Sequence, residues 1–143
     1  MKKNYIIDTN ILIDDPNCIK ILINGNENNI FIPEIVIDEI DKLKRKPHLR
    51  QQIKDVVSSL NTFKNDITIF GDIVGNSPDN IILNNIINSK IDKPILITND
   101  KLLRFKAYKK EITSQEYIKS IPFKTESEIY TGFIDNYDND LIK

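Results

Sequence analysis

Cysteine and histidine are almost missing from this 143-residue chain, which has one of each, Cys18 and His48. A lone cysteine excludes an intramolecular disulfide and every multi-cysteine zinc site, and it suits a reducing compartment. A lone histidine excludes two-histidine metal motifs; beside Pro47 in a basic stretch, His48 reads as a solvated side chain. No excess charge is present either. Twenty Lys and Arg against 21 Asp and Glu leave a formal charge of −1, which excludes a histone-like polycation. Any nucleic-acid contact must come from a local patch. No apolar run approaches the roughly 18 residues of a membrane span. Met1-Lys2-Lys3 ahead of Ile6-Ile7 starts like a signal peptide, but Asp8, Thr9 and Asn10 interrupt it and no small-residue cleavage site follows. The expectation is a cytoplasmic protein with no membrane partner.

What is present is ordinary globular material: 40% hydrophobic and 29% charged residues. The length corresponds to one domain, read as residues 1–134, followed by an acidic tail at 135–143 expected to fray. Isoleucine (29) and asparagine (17) are overused, a bias that with abundant lysine points to AT-rich coding and not to chemistry.

Short apolar runs at Tyr5-Ile6-Ile7, Ile30-Phe31-Ile32, Ile67-Thr68-Ile69-Phe70 and Pro94-Ile95-Leu96-Ile97 predict buried strands, with Pro33 stopping the second. Glu111-Ile112-Thr113 predicts a short fifth. Helices are expected over Thr9–Ile23, with Asp15-Pro16-Asn17 as a break, and from Glu34 to Lys46, where Val36, Ile40 and Leu43 share a face. Pro47 ends or kinks the latter. The next helix, Leu49 to Phe63, should turn Ile53, Val56, Val57 and Leu60 inward. Ser77-Pro78-Asp79 supplies a cap, a first-turn proline and a first-turn acid for a helix reaching Lys90. Asn99-Asp100 opens another. Strands alternating with helices predict an α/β fold: three layers, a mainly parallel central sheet flanked by helices.

In such sheets ligands bind at the carboxyl ends of the strands. Asp8 and Asp100 fall just past strands there, while Glu39 and Asp79 sit on helices entering the same region. Like charges gathered in one crevice raise one another's pKa and call for a cation. Oxygen donors without histidine or thiolate select Mg²⁺ or Mn²⁺, which activate water and steady a phosphodiester under hydrolysis. Spacing alone does not establish that the four converge.

A family resemblance bears on that convergence. Ile6-Ile7-Asp8-Thr9-Asn10 resembles the opening motif of PIN-domain ribonucleases, and Pro33 to Lys42, with Glu39, resembles their second. Ser77-Pro78-Asp79-Asn80 is similar to the third and Thr98-Asn99-Asp100 to the fourth. Within the family the likeness is to PIN domains that precede PhoH-type ATPase domains, through Asp15-Pro16-Asn17, Glu39-Ile40-Asp41-Lys42 and Tyr130-Thr131-Gly132. These residues contain no P-loop, so the likeness stops at the PIN part. The resemblance implies a metal-dependent endoribonuclease acting on single-stranded RNA, with Asp8, Glu39, Asp79 and Asp100 as catalytic metal ligands. Thr9, Asn10 and Thr98 would support them by hydrogen bonds. A DNA nuclease of the related 5′-nuclease branch, a silent PIN scaffold, and a homodimer or antitoxin-like partner stay open.

Simpler readings compete at each position. Asp8 and Asp100 could be helix caps, Asp79 a dipole acid and Glu39 a solvated helix acid. Asp38 and Asp41 read as surface groups beside Glu39, and Cys18 as a small buried hydrophobe. Two basic clusters flank the acidic motifs: Lys42, Lys44, Arg45, Lys46, His48 and Arg50, then Lys101, Arg104, Lys106, Lys109 and Lys110. Lys44, Arg45, Lys46, Arg50, Lys101 and Arg104 are the candidate nucleic-acid contacts. Tyr108 and Phe105 lie among the second cluster as candidates to stack on bases, with core packing at least as favoured for Phe105.

Overall fold

The computed structural model describes residues 2–119. The expected tail and Tyr130-Thr131-Gly132 lie outside them. Five strands, β1 (Asn4–Ile7), β2 (Asn29–Pro33), β3 (Ile67–Phe70), β4 (Pro94–Ile97) and β5 (Thr113–Gln115), alternate with six helices. The helices are α1 (Thr9–Asp14), α2 (Cys18–Ile23), α3 (Glu34–Leu43), α4 (Arg50–Thr62), α5 (Pro78–Asn88) and α6 (Lys101–Lys109). All four strand pairings are parallel, in the order β3-β2-β1-β4-β5. Tyr5, Ile6 and Ile7 are buried, as a central strand covered on both faces requires.

More than half of the buried hydrophobic side chains are isoleucine, in strands and helices alike. Each one fully buried contributes about 1.5–3 kcal/mol. Whatever produced the isoleucine bias, the core is built from it.

Local chemistry sets the breaks. Asp15 Oδ1 accepts from Asn17 N (3.1 Å), a side-chain turn that separates α1 from α2. Pro47 opens a single 3-10 turn, Pro47–Leu49, ahead of α4. Gly71 follows β3 with φ of +85°, and a Cβ there would fall 2.5 Å from Asn85 Cγ. That close approach lets the buried Asn85 side chain bond both Asp72 N (3.3 Å) and Asp72 O (2.9 Å), tying the loop before α5 to the helix.

Several expectations need correction. Pro33 is the last residue of β2, and Val57 is exposed instead of buried. The fifth strand is Thr113–Gln115, two residues later than expected. Glu111 takes a left-handed φ of 62° and Ile112 N bonds back to Ala107 O (2.8 Å), so these residues stop α6 before a strand can begin. Phe105 lies on the surface, 59% exposed. Among the described residues no helix is long and apolar enough to cross a membrane.

Candidate active site

The chain leaves β1 toward β2 on one side and returns to place β4 on the other, so the direction of winding reverses between β1 and β4. The crevice outside the carboxyl ends of two such strands is where open parallel sheets bind ligands. Register fills it. Ile7 pairs with Ile97, so the next residues, Asp8 and Thr98, come side by side. Thr98, completely buried, donates its hydroxyl to Asp8 Oδ2 (2.8 Å) and accepts from Asp100 N (3.1 Å). One hydroxyl thus links two of the acids.

Asp8 is also the N-cap of α1, its Oδ1 accepting from Thr9 N (2.8 Å). Thr9 turns its hydroxyl the other way, donating to Glu39 Oε1 on α3 (2.5 Å). Asp100 caps α6 through Oδ1 alone, which accepts from Leu102 N (2.9 Å) and Leu103 N (3.1 Å). Asp79 stands in the first turn of α5, where Ser77 Oγ accepts from Asn80 N (3.3 Å). The capping readings are therefore correct for Asp8 and Asp100, yet incomplete, since these acids face a common space.

That space is a cleft of about 360 Å³. Its lining combines Asp8, Thr9, Asn10 and Asp100 with Glu39, Lys42 and Leu43 from α3, and Pro78, Asp79 and Ile82 from α5. Burial pushes the Asp8 carboxyl above its ordinary value, and the charges of Glu39 and Asp79 add to that; the bonds from Thr98 and Thr9 N pull against it. Burial raises Asp79 as well, followed by the charge of Asp100, with Lys106 opposing. Among the described residues no three acidic side chains close tightly enough to chelate one ion directly. The donor set still fits a hard cation: carboxylates and hydroxyls, without imidazole or thiolate. Mg²⁺ keeps several of its waters and takes only one or two carboxylates, so spaced acids suit it.

A larger hollow, about 600 Å³, lies under Phe31, Phe70 and Asn85. Volume does not choose between the two; the gathered acids do.

The basic residues distribute unevenly. Lys42 lines the cleft but pairs with Asp38 (3.1 Å), and Lys44 pairs with Asp41 (2.7 Å), which leaves Asp38 and Asp41 as surface partners of lysine. Arg45, Lys46 and Arg50 are exposed, and Arg50 shares a separate apolar hollow with Ile53 and Val57. Lys101 is exposed, whereas Arg104 turns toward Glu116 (4.0 Å). None of the six candidate nucleic-acid contacts lines the cleft itself. His48 is exposed, and burial pushes the Cys18 thiol up to about 12, so neither is poised for chemistry.

Sequence reasoning missed a brace behind the site. Asn99 Nδ2 donates to Tyr117 O (2.8 Å), Tyr117 N donates to Asn99 Oδ1 (2.7 Å), and the Tyr117 hydroxyl donates to the buried Asp15 (2.6 Å). The only signal was the place of Asn99 between Thr98 and Asp100.

With this geometry in view, comparison with known proteins gives a consistent answer. The model of the PIN domain family matches residues 5–118, and this chain belongs to that family. A 45-residue stretch is 44% identical to the protein PhoH2 of Bacillus subtilis (strain 168), covering 32% of this chain and 10% of PhoH2. Among solved structures, a domain of a functionally unknown protein from Methanocaldococcus jannaschii superposes with TM-score 0.60 at 17% identity, covering 86% of this chain and 96% of that one. The PIN domain endonuclease Utp24 superposes with TM-score 0.56 at 19% identity, covering 81% and 86%. At those identities the likeness shows the fold.

Proposed function

We propose that this protein is a Mg²⁺- or Mn²⁺-dependent endoribonuclease that hydrolyses phosphodiester bonds of single-stranded RNA in the acidic cleft. The observation that carries the reading is the arrival of Asp8, Glu39, Asp79 and Asp100, from four separate elements, around one cleft at the reversal point of the sheet. Burial, and after it the charge of neighbouring acids, raises the Asp8 and Asp79 carboxyls, and a divalent cation would offset both effects. Bound there, the ion supplies an acidified water and charge neutralisation at the leaving oxygen.

The chain's own residues do the positioning. Thr98 holds Asp8 from the strand below, and the Thr9 hydroxyl aims Glu39 from α1. Asp79 and Asp100 face the same space from two helix starts and would reach the ion through its waters where they do not bind it directly. No histidine is among the cleft residues, so a cleft carboxylate would accept the proton that the attacking water loses. Lys42 in the cleft wall and Lys106, whose charge acts on Asp79, offer positive charge to the scissile phosphate. Lys44, Arg45, Lys46, Arg50, Lys101 and Arg104 would meet phosphates further along the strand. Membership of the PIN family supports the chemistry, as do the PhoH2-like stretch and the fold shared with an endonuclease. The preference for RNA rests on the family.

The test is incubation of labelled RNA and DNA oligomers of one sequence with Mn²⁺, Mg²⁺ or EDTA, using wild type, Asp8→Asn and Asp100→Asn. Internal RNA cleavage that needs the metal and disappears in both variants is expected. Cleavage in EDTA, or undiminished activity of either variant, refutes the metal-ligand assignment. Equal cleavage of DNA transfers the reading to a DNA nuclease, and RNA binding without any cleavage makes this a silent scaffold.

A further inference from the structure

We infer that the outward face of α6 is a track for single-stranded RNA, on which Phe105 and Tyr108 stack bases while Lys101 and Lys109 contact phosphates. The inference rests on the nuclease reading and adds where the strand lies as it leaves the cleft.

Helix α6 is apolar on the side that faces water. At 3.6 residues per turn each residue advances about 100°, so Phe105 projects about 180° from the midpoint of Leu103 and Ala107. Leu103 and Ala107 are the buried residues of α6. Leu102, Phe105 and Tyr108 are 60%, 59% and 75% exposed, and Leu102 and Tyr108 lie within about 60° of Phe105 on either side. A surface helix ordinarily turns charge, and not three large apolar side chains, to water. A contiguous apolar patch of this kind marks a contact surface.

Charge identifies the occupant. Residues 101–110 contain five cations and no acid. Of these cations, Arg104 alone is in an ion pair among the described residues, with Glu116. Lys101 and Lys109 flank Phe105, both exposed. The core of a protein–protein contact is depleted of lysine, whereas a phosphate backbone is held by it. Alternating aromatic and basic side chains are what a sequence-tolerant single-strand site requires: a π-face for each base and a cation for each phosphate.

Position then ties the face to the cleft. Asp100, which lines the cleft, is the N-cap of α6, so the stripe starts at the site and runs about 13 Å along nine residues at 1.5 Å each. At its far end Tyr108 and Lys109 border a recess of about 460 Å³ with Ile112 and Thr113.

The test uses the full chain and fluorescein-labelled oligouridine in EDTA, read by anisotropy across a salt series. Phe105→Ala/Tyr108→Ala should lose affinity by about tenfold or more with its salt slope unchanged, because stacking at each base contributes about 1–3 kcal/mol and releases no counterions. Phe105→Tyr/Tyr108→Phe should bind within about twofold of wild type, since the π-faces remain. Lys101→Ala/Lys109→Ala should bind more weakly with a slope shallower by about 1.4, from about 0.7 per phosphate on a single strand. Mn²⁺-dependent hydrolysis of bis(p-nitrophenyl) phosphate by wild type, which needs no strand on α6, is the separate readout of the cleft. If that hydrolysis is missing from wild type while the binding pattern holds, the track stands and the nuclease reading fails. Wild-type affinity in Phe105→Ala/Tyr108→Ala overturns the track, as does failure of wild type to bind oligouridine. Loss of a concentration-dependent dimer with RNA affinity intact would also overturn it and make α6 a self-association face.

Discussion

Replacing Thr98 by valine isolates the link between the two strand-end acids. Valine matches threonine in shape and removes one hydroxyl from a position with no solvent exposure. Two bonds are lost, a donor to Asp8 Oδ2 at 2.8 Å and an acceptor from Asp100 N at 3.1 Å. A hydrogen bond to a charged group contributes about 1.5–3 kcal/mol, and a buried N–H left unpaired costs about 1–3 kcal/mol. Asp100 is exposed, so water recovers part of the second amount, and the expected total is about 2–4 kcal/mol. Thr98→Ser keeps the hydroxyl and loses one methyl, about 1 kcal/mol. Urea unfolding in EDTA at neutral pH measures both against wild type, with unchanged m-values as the check on two-state behaviour. The corresponding melting shift for valine is roughly 6–12 °C at about 3 °C per kcal/mol. Valine should also raise the Mn²⁺ concentration needed for half-maximal thermal stabilisation, since Asp8 loses the bond that holds its carboxyl down. A valine variant no less stable than the serine variant would show that the hydroxyl bridge contributes nothing.

Three further outcomes follow from the same contacts. Asp8→Asn should stabilise the metal-free protein at neutral pH. Its folded pKa is raised, so ionisation costs stability as pH climbs from about the ordinary value of 3.8 through the raised one; melting in EDTA across that window should fall less steeply for Asp8→Asn, and Mn²⁺ should shift it less than wild type. An apo variant less stable than wild type would make Asp8 a structural cap alone. Gly71→Ala should cost roughly 2–4 kcal/mol, from a left-handed backbone plus the clash with Asn85, whereas Gly25→Ala, also left-handed but open around its Cβ, should cost about 1–2 kcal/mol; equal losses in urea unfolding would exclude the clash. Lys44→Ala/Arg45→Ala/Lys46→Ala should weaken RNA binding and lower its salt slope by up to about 2, the shortfall reflecting the pairing of Lys44 with Asp41; an unchanged slope would reduce this run to a solvated face.

Elements whose signals are local were legible in the sequence. The runs ending at Ile7, Ile32 and Ile97 announced buried strands, and Ser77-Pro78-Asp79 announced the start of α5, because each depends on a few adjacent residues. The fifth strand was displaced because Ile112 favours a strand locally but is used to seal the end of α6. The residues that do pair, Thr113, Ser114 and Gln115, carry no apolar run to give them away. Val57 misled for a related reason: periodicity states which residues share a face, and only packing decides whether that face is covered.

The candidate site was half legible, and the missing half was register. Residue types and order, read with the family resemblance, nominated Asp8, Glu39, Asp79 and Asp100, but nothing within a window of ten residues says that Ile7 lies opposite Ile97. That pairing spans 90 residues and depends on the chain crossing back from β3 over β2 and β1 to place β4 on the free side of β1. Once it exists, the Thr98 bridge follows with no further adjustment, since a parallel neighbour of Ile97 must bring the residue after Ile7 beside the residue after Ile97. The brace by Asn99 and Tyr117 has the same character. Tyr117 reaches Asp15 across 102 residues, and does so because β5 pairs with β4 and leads the chain back past the loop that holds Asp100. Side-chain chemistry at this cleft is therefore written in single residues, while its geometry is written in strand order, and a one-residue slip of β4 against β1 would part Asp8 from Thr98 without changing any motif.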